Sequence, residues 1–117
     1  MKLFKKALFS LLLFTTLGWG AMYALLHSTP DYAAMHKENV IIYGTAWCSG
    51  CAQTRKYLNA KRIPFFEYDI ENSPEGQAQF KELHGNGTPL ILVKRTVLRG
   101  FDPQVLTNAL QSNQILQ

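Results

Sequence analysis

Cysteine, histidine and unbalanced charge are all scarce in this chain, and each shortage removes a class of function. Two cysteines in 117 residues cannot staple a scaffold with disulfides, and they are only half of a four-cysteine zinc site. The net charge of +4 is concentrated at the start: without Lys2, Lys5 and Lys6, nine basic residues face eight acidic ones. A near-neutral body carries no basic stripe, so nucleic acid is not expected as a partner. His84 is the only histidine in the part that reads as folded. It is expected as a surface residue at a helix end, with His27 and His36 as ordinary linker residues. There is no internal repeat and no low-complexity tract. With 47% apolar residues, the chain has room for one small domain plus an extra segment.

Charge is missing altogether from Ala7 to Leu26, behind a basic start. Twenty helical residues span roughly 30 Å, enough to cross a bilayer core. Residues 1–27 are therefore expected to form a hydrophobic helix, either an uncleaved signal anchor or a cleaved signal peptide. Gly18-Trp19-Gly20 before Ala21 is a poor match to a small-x-small cleavage site. A core helix would show a polar face, and none is visible. Lysines ahead of the segment put the N-terminus in the cytoplasm. The expectation is a single-pass protein of the inner (cytoplasmic) membrane, held through residues 7–26. Its C-terminal domain would lie in the periplasm or another extracytoplasmic space. With cleavage the protein would be secreted or periplasmic. Residues 28–38, broken by Pro30, read as a polar linker.

Residues 39–117 read as one α/β domain. Val40-Ile41-Ile42-Tyr43, closed by Gly44, predicts a buried strand, and residues 49–60 turn helical. Residues 64–70 predict a second strand. Asn72 and Ser73 suit a helix cap, Pro74 the first turn and Glu75 the positive helix end. That helix runs to about His84 with Phe80 and Leu83 inward. Residues 89–93 and 96–99 predict two strands joined at Lys94-Arg95, a turn without the usual Asn-Gly chemistry. Asp102 and Pro103 open a last helix with Val105, Leu106, Ala109 and Leu110 on its inner face. The order is β-α-β-α-β-β-α. The first two strands should be parallel with a right-handed crossover and the last two a hairpin, in a four-stranded mixed sheet covered by helices on both faces.

Both cysteines lie in "YGTAWCSGCAQTRKYL", residues 43–58, at the junction of the first strand and the first helix. Unpaired N–H groups and the helix dipole favour negative charge there, and the thiolate is the reactive form of cysteine. Cys48 is expected exposed at the helix start. Cys51 would lie one turn further in, close enough to resolve a mixed disulfide, the two-step course of thiol–disulfide exchange. Ser49 and Gly50 between them are small, and no proline stiffens the turn. Two other readings stay open: a metal or iron–sulfur module that uses the same cysteines as part of its ligand set, and a pair of inert thiols. Trp47 is expected to pack beside the site and shield it.

Three motifs then carry a resemblance over residues 40–110. Trp47-Cys48-Ser49-Gly50-Cys51, Gly87-Thr88-Pro89 and Arg99-Gly100-Phe101-Asp102 fall in the order and spacing of the glutaredoxin family, which has a thioredoxin-like fold. The resemblance implies a thiol–disulfide oxidoreductase with no required cofactor or metal. Its partners would be protein disulfides or glutathione mixed disulfides, with glutathione possible as reductant or ligand. It implies a cis Thr88–Pro89 bond, with the Thr88 backbone pairing to the substrate beside Cys48. Gly100 would allow close approach of a bound peptide or glutathione. Asp102 would meet a glutathione amino group as well as cap its helix. Trp47, Thr88, Pro89, Gly100, Phe101 and Asp102 are thus candidate substrate contacts around Cys48 and Cys51. The chain departs from the family pattern in three places. Ser-Gly separates the cysteines, no basic residue precedes them, and Gly100 is followed by Phe101 instead of a second glycine. These departures weaken the case for tight glutathione binding and leave exchange with protein disulfides in place.

Overall fold

The computed structural model describes residues 4–6, 18–26 and 28–117. A short helix α1, Tyr32–Met35, precedes strand β1, Val40–Gly44, and helix α2, Ser49–Ala60. Strand β2, Phe66–Asp69, and helix α3, Pro74–Glu82, follow. The chain then forms β3, Leu90–Val93, β4, Thr96–Arg99, and helix α4, Pro103–Ser112. The four strands form one sheet in the order β2-β1-β3-β4. β1 runs parallel to β2 and antiparallel to β3, and β3 and β4 form a hairpin. The architecture is the thioredoxin-like one expected.

Successive side chains of a strand point to opposite faces, and in β1 and β3 both sets are buried. Val40, Ile42, Ile91 and Val93 pack under Leu58 of α2 and Leu106, Ala109 and Leu110 of α4. Ile41, Tyr43, Leu90 and Leu92 pack on the other side with Ala33 of α1, Tyr68 and Leu83. β1 is therefore held from both faces, with each large aliphatic contributing roughly 1.5–3 kcal/mol on burial. Val105 does not join this core. It is 48% exposed, because the inward stripe of α4 is set by the i, i+3, i+4 positions Leu106, Ala109 and Leu110.

The helices start where side chains can cap them. Ser73 accepts a hydrogen bond from the Gly76 N–H at 3.0 Å, and Asp102 accepts from the Gln104 and Val105 N–H groups. At the far end of α3, Arg99 of β4 donates to the carbonyls of His84 and Leu83, at 2.7 and 3.2 Å. Those carbonyls have no partner within the helix, so the arginine ties α3 to the hairpin. His84 itself is exposed at the helix end.

The N-terminal expectations need correction. No helix among the described residues is long and apolar enough to cross a membrane. Within the uncharged run, helix is described over residues 18–26. That length spans about 14 Å at 1.5 Å per residue, under half of a bilayer core. Residues 7–17 of the expected span, and His27, lie outside the described residues. The placement in the inner membrane, and the export that followed from it, are therefore not supported. The stretch expected as a linker carries α1. His36 stacks on Phe66 with ring centroids 3.8 Å apart, and its Nε2 lies 2.6 Å from the Tyr68 hydroxyl. Tyr32 donates to the Glu82 carboxylate.

Behind these contacts lies a buried polar chain. The Tyr43 hydroxyl donates to Gln79 Oε1 at 2.6 Å, and Gln79 Nε2 donates to the Tyr68 hydroxyl. Burial pushes the Tyr43 hydroxyl above its ordinary value of 10.0, reinforced by Tyr68. Tyr68 is raised too, by burial and then by Glu75. A tyrosine that keeps its proton when folded but loses it when unfolded stabilises the fold fully below its unfolded pKa. That contribution is lost as pH rises past it. Denaturant midpoints should therefore fall as pH climbs above 10, and fall less steeply in Tyr43→Phe. An equal slope in the variant would show that Tyr43 is not the titrating group.

Candidate functional site

β1 ends at Gly44, the chain turns through residues 45–47, and α2 begins at Ser49 with Cys48 as its N-cap. Cys48 is extended (φ −78°, ψ 113°), and its Sγ accepts a hydrogen bond from the Cys51 N–H at 3.1 Å. The sulfur thus occupies the place of a serine or aspartate cap oxygen. Negative charge on it is favoured by that N–H and by the helix dipole. Cys48 and Cys51 are joined in a disulfide with their Cα atoms 5.2 Å apart. Cys48 is more enclosed than expected, at 7% exposed, and Cys51 is fully buried.

Two glycines seat the pair. A Cβ placed on Gly44 would lie 2.7 Å from Cys51 Sγ, closer than real Cβ contacts come. Only the bare backbone at the end of β1 leaves room for the second sulfur. A Cβ on Gly50 would lie 3.0 Å from Pro89 Cδ, so the turn between the cysteines rests on the Pro89 ring. Thr54 Oγ1 donates to the Gly50 carbonyl at 2.7 Å and holds that turn to α2.

Opposite lies the loop that brings Thr88 and Pro89 to the cysteines. The Thr88–Pro89 peptide is cis. Gly100 donates its N–H to the Pro89 carbonyl at 2.9 Å. Its φ of +80° is one that side chains disfavour, and its Cα faces open space. Phe101 packs edge-on against Tyr57 of α2, with its Cβ beside Gly50. Asp102 is exposed, with Oδ1 engaged in the α4 cap.

Trp47 does not cover the cysteines. It is 73% exposed, and its indole N–H donates to Glu71 Oε1 at 2.7 Å. It lines an open groove of ≈ 570 Å³ together with Ile70, Phe80, Gly87 and Thr88 among others. The charges near the site are committed. Arg55 pairs with Glu67 at 2.5 Å, and Arg99 serves the carbonyls of α3. Asp69 is held below the usual carboxylate range, chiefly by the Asn72 side chain and then by the Glu71 N–H. Among the described residues, no group of three or more potential metal ligands occurs. The two cysteines thus bring two of the four ligands a structural zinc takes.

The glutaredoxin family model matches residues 40–98. The chain belongs to the glutaredoxin family. The match spans β1 to β4 and contains both cysteines and the Thr88–Pro89 loop, so the chain is a glutaredoxin-like thiol–disulfide oxidoreductase. It is 34% identical to a glutaredoxin of Pseudomonas aeruginosa over 64 residues, covering 54% of this chain and 76% of that one. Among solved structures it resembles a glutaredoxin from Archaeoglobus fulgidus, with a TM-score of 0.58 and 16% identity, over 70% of this chain and 96% of that one. It also resembles the glutaredoxin-like NrdH-redoxin from Escherichia coli, with a TM-score of 0.54 and 17% identity, over 59% and 91%.

Sequence reasoning missed Gly44, Thr45, Arg55, Glu67 and Glu71. Gly44 reads as a strand end in one dimension; its role appears only once α2 folds back over it. Glu67 left a trace, as one of two acidic side chains in a strand rich in aromatic residues.

Gly44→Ala should cost about 1–3 kcal/mol of stability, the usual range for overpacking, because Cys51 Sγ must move. An unchanged denaturation midpoint in the oxidised protein would refute that reading of the seat.

Proposed function

We propose that this chain exchanges disulfides in two steps through Cys48 and Cys51, acting on polypeptide disulfides in preference to glutathione mixed disulfides. The Cys48 thiolate attacks one sulfur of the substrate disulfide. That S–S bond breaks, a Cys48–substrate disulfide forms, and the other substrate sulfur leaves as a thiolate that takes up a proton. Cys51 then attacks Cys48 Sγ and releases the second substrate thiol. The substrate gains two electrons and the cysteine pair loses two; the reverse sequence oxidises a dithiol. The observation that carries this reading is the Cys48 sulfur at the helix start, receiving the Cys51 N–H with the second cysteine within disulfide reach.

The substrate preference rests on shape and charge. The groove lined by Trp47 and Thr88 is open to solvent, as an extended chain requires, and Thr88 would offer backbone groups for pairing. Its apolar residues Ile70 and Phe80 suit side chains beside a substrate cysteine. Glutathione brings two carboxylates, and Arg55 and Arg99 already have partners. Trp47, Gly100 and Asp102 would then contact the polypeptide at the rim.

Titration of the full chain in glutathione buffers, followed by thiol trapping, should give one reversible two-electron transition. Cys48→Ser should lose disulfide reduction entirely, and Cys51→Ser should accumulate a mixed disulfide with substrate. Full activity in Cys48→Ser would end this reading. Wild type should reduce a polypeptide disulfide at least about tenfold faster than a glutathione mixed disulfide of a small thiol, a gap of about 1.4 kcal/mol in barrier. The opposite ranking would remove the preference and leave the exchange intact.

A further inference from the structure

Cys51 has to lose a proton before it can attack, yet it is fully buried. The surroundings of its sulfur show where that proton can go. Gly44, against which the sulfur sits, pairs with Asp69 in the β1–β2 ladder, and Ile42 pairs with Glu67. Side chains two residues apart share a face of a strand. Ile42 packs under α2, so Glu67 faces α2 as well. On the helix, Arg55 follows Cys51 by four residues, one turn or ~6 Å along the axis. The helix therefore lays Cys51 over Gly44 and Arg55 over Glu67, on two successive rungs of the same face.

A cleft of ≈ 380 Å³ opens beside Gly44, lined by Gly44, Thr45, Arg55, Glu67, Tyr68 and Asp69 among others. Thr45 is 5% exposed, and its buried hydroxyl has no hydrogen-bond partner among the described residues. Buried hydroxyls are seldom left that way, and a lone exception points to a bridging water or a functional use. The charged and titratable groups that line the cleft are Arg55 from α2 and Glu67, Tyr68 and Asp69 from β2; β1 supplies none.

We propose that Glu67, oriented by Arg55, receives the proton of the Cys51 thiol through the Thr45 hydroxyl and water in this cleft. The inference rests on the exchange reading above. As the Cys51 S–H bond breaks, its proton passes to the Glu67 carboxylate and its electron pair forms the bond to Cys48 Sγ. The Cys48–substrate bond breaks, and the substrate sulfur leaves as a thiolate with the electron pair of that bond. The Glu67 proton then passes to solvent through the mouth of the cleft. Glu67 and Arg55 are positioning residues: they act on the sulfur through other groups.

The reaction of the reduced full chain with a symmetrical nitrobenzoate disulfide tests this. Attack by Cys48 releases one coloured thiolate and resolution by Cys51 releases a second, so the two steps appear as two phases. In Glu67→Gln the second phase should slow at least about tenfold at neutral pH, at the low end of proton-transfer effects, while the first phase keeps its rate. The difference should close at alkaline pH, where hydroxide takes the proton instead, and Glu67→Asp should recover part of the loss. A second phase at the wild-type rate near pH 7 would overturn the proposal. A slowing of equal size at every pH would overturn it too, since a packing defect behaves that way. Absence of the first phase from wild type would overturn the exchange reading itself.

Discussion

The contact between the Cys51 sulfur and the bare backbone of Gly44 is the constraint on which the other features of the site depend. It sets how closely α2 can approach the end of β1. That approach places the first N–H groups of the helix around Cys48, so that a sulfur serves as the cap. The same approach brings Gly50 against Pro89, which joins the cysteine turn to the loop carrying Thr88. A displacement at Gly44 would therefore disturb the cap, the disulfide reach and the proline contact together. Such a constraint is useful only if the strand beneath it stays still. β1 does, because all five of its residues are buried between helices on two faces.

Charge placement follows a second logic. Arg99 could have served as an anion site, but its guanidinium is committed to the carbonyls that end α3. The loop from Gly85 to Thr88 starts at that helix end, so the arginine fixes the direction from which the loop brings Pro89 against Gly50. Arg55 is likewise committed to Glu67. The groove beside the site therefore offers backbone, the apolar Ile70 and Phe80 and the Glu71 carboxylate. The proposed preference for polypeptide disulfides rests on that surface: apolar or basic side chains beside a disulfide complement it, whereas glutathione brings two carboxylates.

Most of the folded domain was legible in the sequence because its signals are local. β-branched runs marked β1 and β3, Ser73-Pro74 and Asp102-Pro103 marked two helix starts, and the Cys-x-x-Cys spacing marked the site. The errors arose where three-dimensional context overrides a local pattern. Val105 fits an inward stripe by spacing but lies at its edge. Trp47 looks like a lid by size, yet its indole N–H finds Glu71, which brings the ring out over the groove. The uncharged run from Ala7 to Leu26 satisfies a length criterion for a membrane helix, yet no helix among the described residues is long and apolar enough to cross a membrane. His36 reads as linker because its partners, Phe66 and Tyr68, lie thirty residues on.

The two faces of β1 divide the work. Val40, Ile42 and Gly44 face α2, and the last of these receives the reactive pair. Ile41 and Tyr43 face the other way, where Tyr43, Gln79 and Tyr68 form a buried polar chain under α1. Buried polar groups that satisfy one another specify a unique arrangement more sharply than apolar packing does. Sheet register couples the faces, since a one-residue slip would exchange Tyr43 for Gly44. The tyrosine would then point at Cys51, and the glycine would leave Gln79 without its donor. The polar chain on the far face thus stabilises the one register in which a glycine lies beneath the sulfur.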